Sequence, residues 1–390
     1  MNSRRQPGGV AKVGRTVLAG ILLWSAQPAA RAVESVLPFS NPTEPAGGAI
    51  GLSAAVRGFE GNDPLSVRDY QGDWSGDYHP RSGTNLGLYS VRAELGVQGF
   101  GWKVSAVKRR EVLIESNPEM TDLYRLYKTK STAPVGRVFN IALNGNGYEA
   151  DGWRIDKAWS WKTGRGDEFA LGVGYSALQG RKIRDVSAQG SLTSLGGGNY
   201  NFAVSSDEAY TSKTYPFITP GTPHGEGQSI DAAIAWKTPQ GIRVEAIAND
   251  LLGHIRWYDV PATAATARSG VTSTDSNGFI IYAPTLSGRN ARRDFTQKIP
   301  LRWTVGGEMP WRSFSLIGSF SKLEDMAFPL LGVAWNFSGA WRLQADYDFR
   351  LDTVGLKLAN SFAFIALRAS QVNLSEAQAY GVSAGLALTF

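Results

Sequence analysis

The sequence predicts an all-β fold: a single antiparallel transmembrane β-barrel of about sixteen strands, with fourteen as the alternative. Three observations carry that expectation. The chain ends on a period-2 alternation, it begins with an export signal, and long alternating stretches separated by tight reversals recur between the two ends.

In the last eleven residues, Tyr380, Val382, Ala384, Leu386, Leu388 and Phe390 share one parity. Gly381, Ser383, Gly385, Ala387 and Thr389 share the other. One face is apolar and the other small or polar, and the chain stops on Phe390. This ending resembles the terminal signal of Gram-negative outer-membrane β-barrels. The resemblance implies that Tyr380, Val382, Leu386, Leu388 and Phe390 form an assembly signal. It further implies that the barrel-assembly machinery, periplasmic chaperones and outer-membrane lipid are partners. It says nothing about cargo.

At the other end, Arg4, Arg5, Lys12 and Arg15 precede the apolar run from Thr16 to Trp24, and Ala30-Arg31-Ala32 follows it. That is the layout of a secretory signal peptide cleaved after Ala32, too short to span a bilayer. The expected organisation is therefore a signal peptide over 1–32, a periplasmic segment or small plug over 33–48, and a barrel over 49–390 in the outer membrane. Residues 1–32 hold five basic and no acidic residues, leaving 35 basic and 34 acidic residues in the mature chain. The net charge of +6 thus belongs mainly to the peptide and gives no support to nucleic-acid binding. The absence of cysteine excludes disulfides and thiolate metal sites. No run of eighteen apolar residues occurs, which excludes a helical span and leaves a closed barrel as the way to satisfy every backbone group in lipid.

Residues 340–350 divide most clearly. Trp341, Leu343, Ala345, Tyr347 and Phe349 alternate with Arg342, Gln344, Asp346, Asp348 and Arg350. Similar stretches lie at 49–59, 84–97, 100–115, 135–148, 152–163, 167–181, 228–238 and 241–258. Others follow at 295–308, 312–322, 328–338, 340–350, 352–359, 361–371 and 377–390. Those fifteen violate the even parity of bacterial barrels, so 199–204 is taken as the sixteenth. Tight reversals near 98–99, 240, 310, 339 and 360 fall on the periplasmic side. Long loops are expected at 60–83, 116–134, 205–227 and 259–294, the last with an apolar island at 279–282.

On the presumed inner face, Arg92 with Glu94, Arg154 with Asp156, Arg243 with Glu245, and the Arg342/Asp346/Asp348/Arg350 ladder place both charge signs together. Such a lumen suits a pore that passes polar solutes, sorted by size and charge at a constriction. A non-conducting barrel serving as a scaffold in an envelope assembly is the alternative. A hydrolase comes third. Outer-membrane phospholipases and deacylases pair a His with a Ser two residues on, but His79, His224 and His254 are followed there by Arg81, Glu226 and Arg256. Adjacent Asp-Asp and Asp-His pairs of the omptin type do not occur either. No cofactor or metal is expected. Arg165-Gly166-Asp167 reads as a tight turn, and Gly172-Val173-Gly174 lacks the Lys of a phosphate loop. A TonB-dependent importer is disfavoured by the small size of the segment before the first strand. Asn41-Pro42 near the mature start gives a loose resemblance to hydrophobic-compound transporters, too slight to carry over any site.

Overall fold

The computed structural model describes residues 35–46, 50–216, 218–219, 221–270, 272–274, 280–282, 285–338 and 341–390. The signal peptide, its cleavage site and Phe279 lie outside these residues. Among the described residues nineteen strands follow in order: β1 (Gly51–Asn62), β2 (Asn85–Gly99), β3 (Trp102–Ser116), β4 (Val138–Lys162), β5 (Glu168–Gly196), β6 (Asn199–Tyr210) and β7 (His224–Lys237). Next come β8 (Arg243–Asn249), β9 (His254–Arg268), β10 (Thr272–Thr274), β11 (Ile280–Tyr282), β12 (Leu286–Lys298) and β13 (Arg302–Trp311). The set ends with β14 (Phe314–Leu323), β15 (Met326–Phe337), β16 (Trp341–Asp348), β17 (Thr353–Ala359), β18 (Ala363–Ala369) and β19 (Ala379–Thr389). β10 and β11 form a separate small hairpin, and the other seventeen belong to one sheet. That sheet closes where β1 meets β19 antiparallel, from Gly51 opposite Thr389 to Gly61 opposite Ala379.

The expected antiparallel barrel is therefore what the chain forms, and its strand count has a simple geometry. Three pairs of segments stack end to end. The lower part of β5 (Glu168–Gly180) pairs with β7 and its upper part (Arg184–Gly196) with β6. β8 continues into β9, and β12 into β13, each across a short break. The seventeen segments thus stand in fourteen columns around the ring. Each of the sixteen expected stretches is β. Those at 135–148 and 152–163 are one unbroken 25-residue strand, β4, and those at 199–204 and 228–238 share a column. At the join within β4, Gly152 packs flush against the Ala177 carbonyl of β5, leaving no room for a Cβ. A glycine that reads as a reversal is here a close approach of neighbouring backbones.

The start of β1, the end of β19 and the reversals near 100, 240, 312, 339 and 361 lie at one end, the periplasmic end of such barrels, while two-residue turns at 197–198 and 324–325 lie at the other. Phe100 and Gly101 reverse the chain with φ of 54° and 76°, the mirror-image turn that matches strand twist. The β13–β14 reversal is at 312–313, just past the expected 310. At the opposite end β4, β5, β6, β9 and β12 rise well beyond the rest as a wall. Part of the loop expected over 116–134 is a helix, Pro118–Thr129. Asn117 caps it by accepting from the Met120 nitrogen at 3.1 Å, Pro118 opens it, and Lys130 ends it at φ 55°. Its Met120, Leu123 and Leu126 pack on Ala133, Phe139 and Ile141.

Outward positions are apolar. Val104, Leu171, Ile234, Leu316, Val333, Leu356, Leu367 and Leu386 are each at least 40% exposed. Water would disfavour such a continuous belt, whereas hydrocarbon is its natural solvent. Trp161, Phe169 and Trp236 stack near the periplasmic rim with centroids 5.7 and 6.4 Å apart. Trp153 and Tyr175, at 5.7 Å, stand about 20–25 Å further along their strands. These are the two aromatic girdles of a membrane barrel. Ala345 faces outward beside Val333 and Leu356. An Ala345→Arg substitution is expected to lower the unfolding free energy in lipid by about 2–4 kcal/mol. Gln189→Arg, on the exposed inner face above the membrane, should cost under about 1 kcal/mol. Urea titration of the liposome-folded variants measures both.

Candidate functional site: a plugged lumen

Inner-face residues follow the parity of each strand. β3 turns Lys103, Ser105, Val107, Arg109 and Glu111 inward, all buried while their neighbours Lys108 and Arg110 are exposed. β2 contributes Ser90, Arg92 and Glu94, and β4 contributes Arg154 and Asp156. β7 adds Ser229 and Asp231, β8 adds Glu245 and Asn249, and β13 adds Arg302. A buried charge is tolerable only if paired and hydrogen-bonded, and these are.

Asp250 is the hub. It sits in the break between β8 and β9 with φ 64°, a conformation that Asp tolerates better than most residues and that takes it out of the ladder. Both of its oxygens accept from the Arg109 guanidinium at 2.7 Å. Ser229 Oγ donates to it at 2.6 Å, and Arg92 lies at 3.5 Å. Its own backbone N–H donates to Asp231 at 2.7 Å, and Asp231 in turn pairs with Arg154. Arg154 also pairs with Asp156 at 2.5 Å, Lys103 with Glu94 at 3.0 Å, and Arg302 with Glu111.

Into this belt runs the segment Ser35–Ala46. Expected as a periplasmic segment or a small plug, it lies inside the barrel and is held from opposite walls. Arg302 donates to the Pro38 carbonyl at 3.0 Å and Arg92 to Ser40 Oγ at 3.0 Å, while Ser40 Oγ donates to Glu94. Asn249 clasps the Ser40 backbone on both sides, at 2.8 and 3.3 Å. Asn41 donates to Glu245 at 2.5 Å, and Thr43 joins the same carboxylate at 3.2 Å. Glu44 reaches Arg57 and Lys103 at 3.6 and 3.7 Å. Ser35 Oγ lies 2.8 Å from Ser321 Oγ on β14. Val36 and Leu37 pack among Phe59, Leu86, Phe328 and Leu330, and Phe39 packs on Ala233 and Ile247. Gly172 has no side chain because the plug presses on it: a Cβ there would stand 2.6 Å from the Thr43 nitrogen.

Above the plug, toward the extracellular end, a vestibule of about 930 Å³ opens. Its lining includes Asn144, Ser187, Gln189, Ser205, Asp207, Thr266 and Arg289, with several alanines between them. An adjoining chamber of about 480 Å³ shares Thr84 and Glu115 with it and contains Arg81 and Arg350. Just below the vestibule Trp257 is completely buried with Tyr148, Leu178, Ile183, Ile255 and Val260. Its ring rests where side chains on Gly180 and Gly225 would stand. Its Nε1 donates to Gln297 at 2.8 Å, and Gln297 donates to Asn146 at 2.6 Å.

The ten charged residues singled out from the sequence fall as follows. Arg92, Glu94, Arg154, Asp156 and Glu245 belong to the belt. Arg243 donates to Glu245 at 3.2 Å nearer the periplasm. Arg342 pairs with Glu308 at 2.7 Å and Asp346 with Arg368, each across strands and not within the expected ladder. Asp348 caps the turn after β16, accepting from the Arg350 and Leu351 nitrogens at 3.2 and 2.9 Å. Arg350 lies past the end of β16 at the extracellular mouth and donates to Asp63 at 2.7 Å. Val382, Leu386, Leu388 and Phe390 face outward, and Tyr380 donates to Glu60 at 3.0 Å. Arg109, Glu111, Asp231, Asp250, Arg302 and Trp257 were not anticipated. The alternation of β3 contained the signal for the first two. Among the described residues no group of three metal-ligating side chains converges.

No family model matches the chain, and no curated relative matches it. Among solved structures it is similar to the toluene transporter TodX of P. putida, at 10% identity over 90% of this chain and 93% of that one, TM-score 0.43. A deltaS2S3 mutant of the TodX monoaromatic hydrocarbon channel gives 11% identity over 90% and 93%, TM-score 0.47. A FadL homologue of Pseudomonas aeruginosa gives 12% identity over 91% and 95%, TM-score 0.38.

The hub gives a stability prediction. Asp250→Ala leaves Arg109 buried without its bidentate partner, so unfolding in lipid should become easier by about 3–5 kcal/mol. A change below about 1 kcal/mol in the unfolding free energy from denaturant titration would show that the belt is not interlocked as described.

Proposed function

We propose that this protein is an outer-membrane solute channel whose lumen is held shut by its own N-terminal segment. Solute is captured in the extracellular vestibule and crosses when Ser35–Ala46 yields. The observation that carries this reading is the anchoring of that segment by side chains from opposite walls, between a vestibule on one side and the periplasm on the other. The hydrogen bonds and ion pairs of Pro38–Glu44 can be traded for water when the segment moves, at small net cost, so the resistance to opening lies in the apolar contacts of Val36, Leu37 and Phe39.

The vestibule sets the kind of solute. Its lining is mostly Ser, Thr, Asn, Gln and Ala, and its Asp207 is tied to Arg293. The floor beneath is apolar around Trp257. Small uncharged solutes carrying both a polar and an apolar part fit best. Passage of more polar solutes past the mixed-charge belt, as the sequence alone suggests, requires that belt to part together with the plug. We read the protein as a channel and not an enzyme. His79 pairs with Asp77 at 3.0 Å in a loop, His224 stacks on Tyr258 at 5.0 Å, and His254 meets the Leu252 carbonyl. No nucleophile is placed beside them in these contacts.

The absence of native cysteine makes a direct test available. Ser35→Cys with Ser321→Cys places two thiols where hydroxyls are 2.8 Å apart, so a disulfide would clamp one end of the plug while β1 holds the other. In proteoliposomes swelling in an isosmotic pentose, the oxidised variant should admit solute at least about tenfold more slowly than the same protein after reduction. Equal swelling rates in both redox states would contradict the plug's role. No swelling in either state, nor in the parent protein, would favour the scaffold reading.

A further inference from the structure

The outward face of the barrel carries a concentration of cations that the channel does not use. Immediately above the Trp153–Tyr175 girdle, β3 turns Lys108 and Arg110 outward, β5 turns Arg181, Lys182 and Arg184 outward, and β9 adds Arg256. The side chains of Lys108, Lys182 and Arg181 are 67%, 66% and 51% exposed. Three carboxylates share the patch. Glu149 lies between Lys108 and Lys182 at 3.7 and 3.4 Å, Asp151 is held by Arg181 at 2.5 Å, and Glu226 faces Arg256 in register. Arg110, Arg184 and Arg256 lie over the rings of Tyr89, Tyr210 and Tyr258 at 5.2, 5.5 and 5.1 Å. The rings hold these guanidinium groups at the barrel surface.

The patch is confined to one flank. On the other side of the barrel the outward positions at the extracellular ends of β15 to β19 carry no charge, among them Ala327, Pro329, Tyr347, Val354, Ala369 and Tyr380. A general interfacial girdle would run all the way round.

We propose that this flank is a docking surface for the phosphate groups of an outer-leaflet lipid, which it holds at the rim beside the raised wall. Geometry selects the occupant. These residues have the parity that meets lipid lower down, and they stand at the height where the apolar belt ends and headgroups begin. A headgroup bearing two phosphates fits a field of six cations only half offset by carboxylates, and guanidinium groups bind phosphate oxygens in pairs.

The test uses the full mature protein in neutral detergent, titrated with bisphosphorylated lipid A and, separately, with the same lipid after phosphate removal. Retention of the phosphorylated lipid is expected for the parent. The triple variant Lys108→Gln, Arg110→Gln, Lys182→Gln should bind it at least about tenfold more weakly. Lys322→Gln on β14, outside the patch, should bind as the parent does. Heat-modifiable migration on gels confirms that each variant is folded before titration. Equal binding by the triple variant, equal binding of the dephosphorylated lipid, or the same loss in Lys322→Gln would each overturn the assignment. Displacement of the lipid by millimolar inorganic phosphate would instead assign the cations to free phosphate, and would overturn the lipid reading too.

Discussion

The seam between β1 and β19 is the contact on which the rest of the structure depends. Hydrocarbon offers no partner for a backbone N–H or carbonyl, so a sheet in lipid must have no free edge. Eleven consecutive residue pairs close the ring here, and the last amide, on Phe390, still reaches the Ile50 carbonyl at 2.8 Å. Closure at fourteen columns leaves an interior too wide for inward side chains alone to fill. The segment that fills it is attached directly to β1, one of the two strands that make the seam.

Filling a lumen with charge is costly unless every charge has a partner, and the belt shows how that cost is offset. Each carboxylate meets more than one donor, and each guanidinium touches either two carboxylates or a carboxylate and the plug. Asp250 is effective because it has left the ladder, so its side chain enters the lumen at a point where strand geometry would not place one. The plug is accordingly wedged polar against polar. Its apolar residues, Val36, Leu37 and Phe39, anchor it at two heights along the lumen. Glycines at 172, 180 and 225 make the space that the plug and Trp257 occupy.

Much of this was legible in the sequence. Period-2 alternation located most of the ring, and the polar parity of β2, β4, β8 and β16 identified much of the lumen. The upper part of β9 and most of β12 instead occupy the stretch expected as a loop over 259–294, and β5 runs on to Gly196, beyond the expected 181. What escaped detection did so for physical reasons. β4 carries Gly145, Gly147 and Gly152, residues that mark turns in most chains but here permit close strand contact. β6 and β7 share a column because β5 is twice as tall as a membrane requires, a property of the partner strand and not of either segment. The helix Pro118–Thr129 had its cap and its 120/123/126 spacing in plain view, yet a loop between two strands was the simpler reading. Asp250 and Arg302 lie at strand breaks, where alternation carries no information. No local pattern marks 35–46 as a plug, because its anchors come from residues some 50 to 280 positions away.

Single-channel recording in planar bilayers tests the central claim most directly, by comparing the intact mature protein with one from which residues 35–43 are excised. If the N-terminal segment is what closes the lumen, the intact protein shows only brief, infrequent openings, and the excised one shows stable, large conductance steps. Steady conductance of the intact protein, or a folded excised barrel that stays closed, would contradict the account.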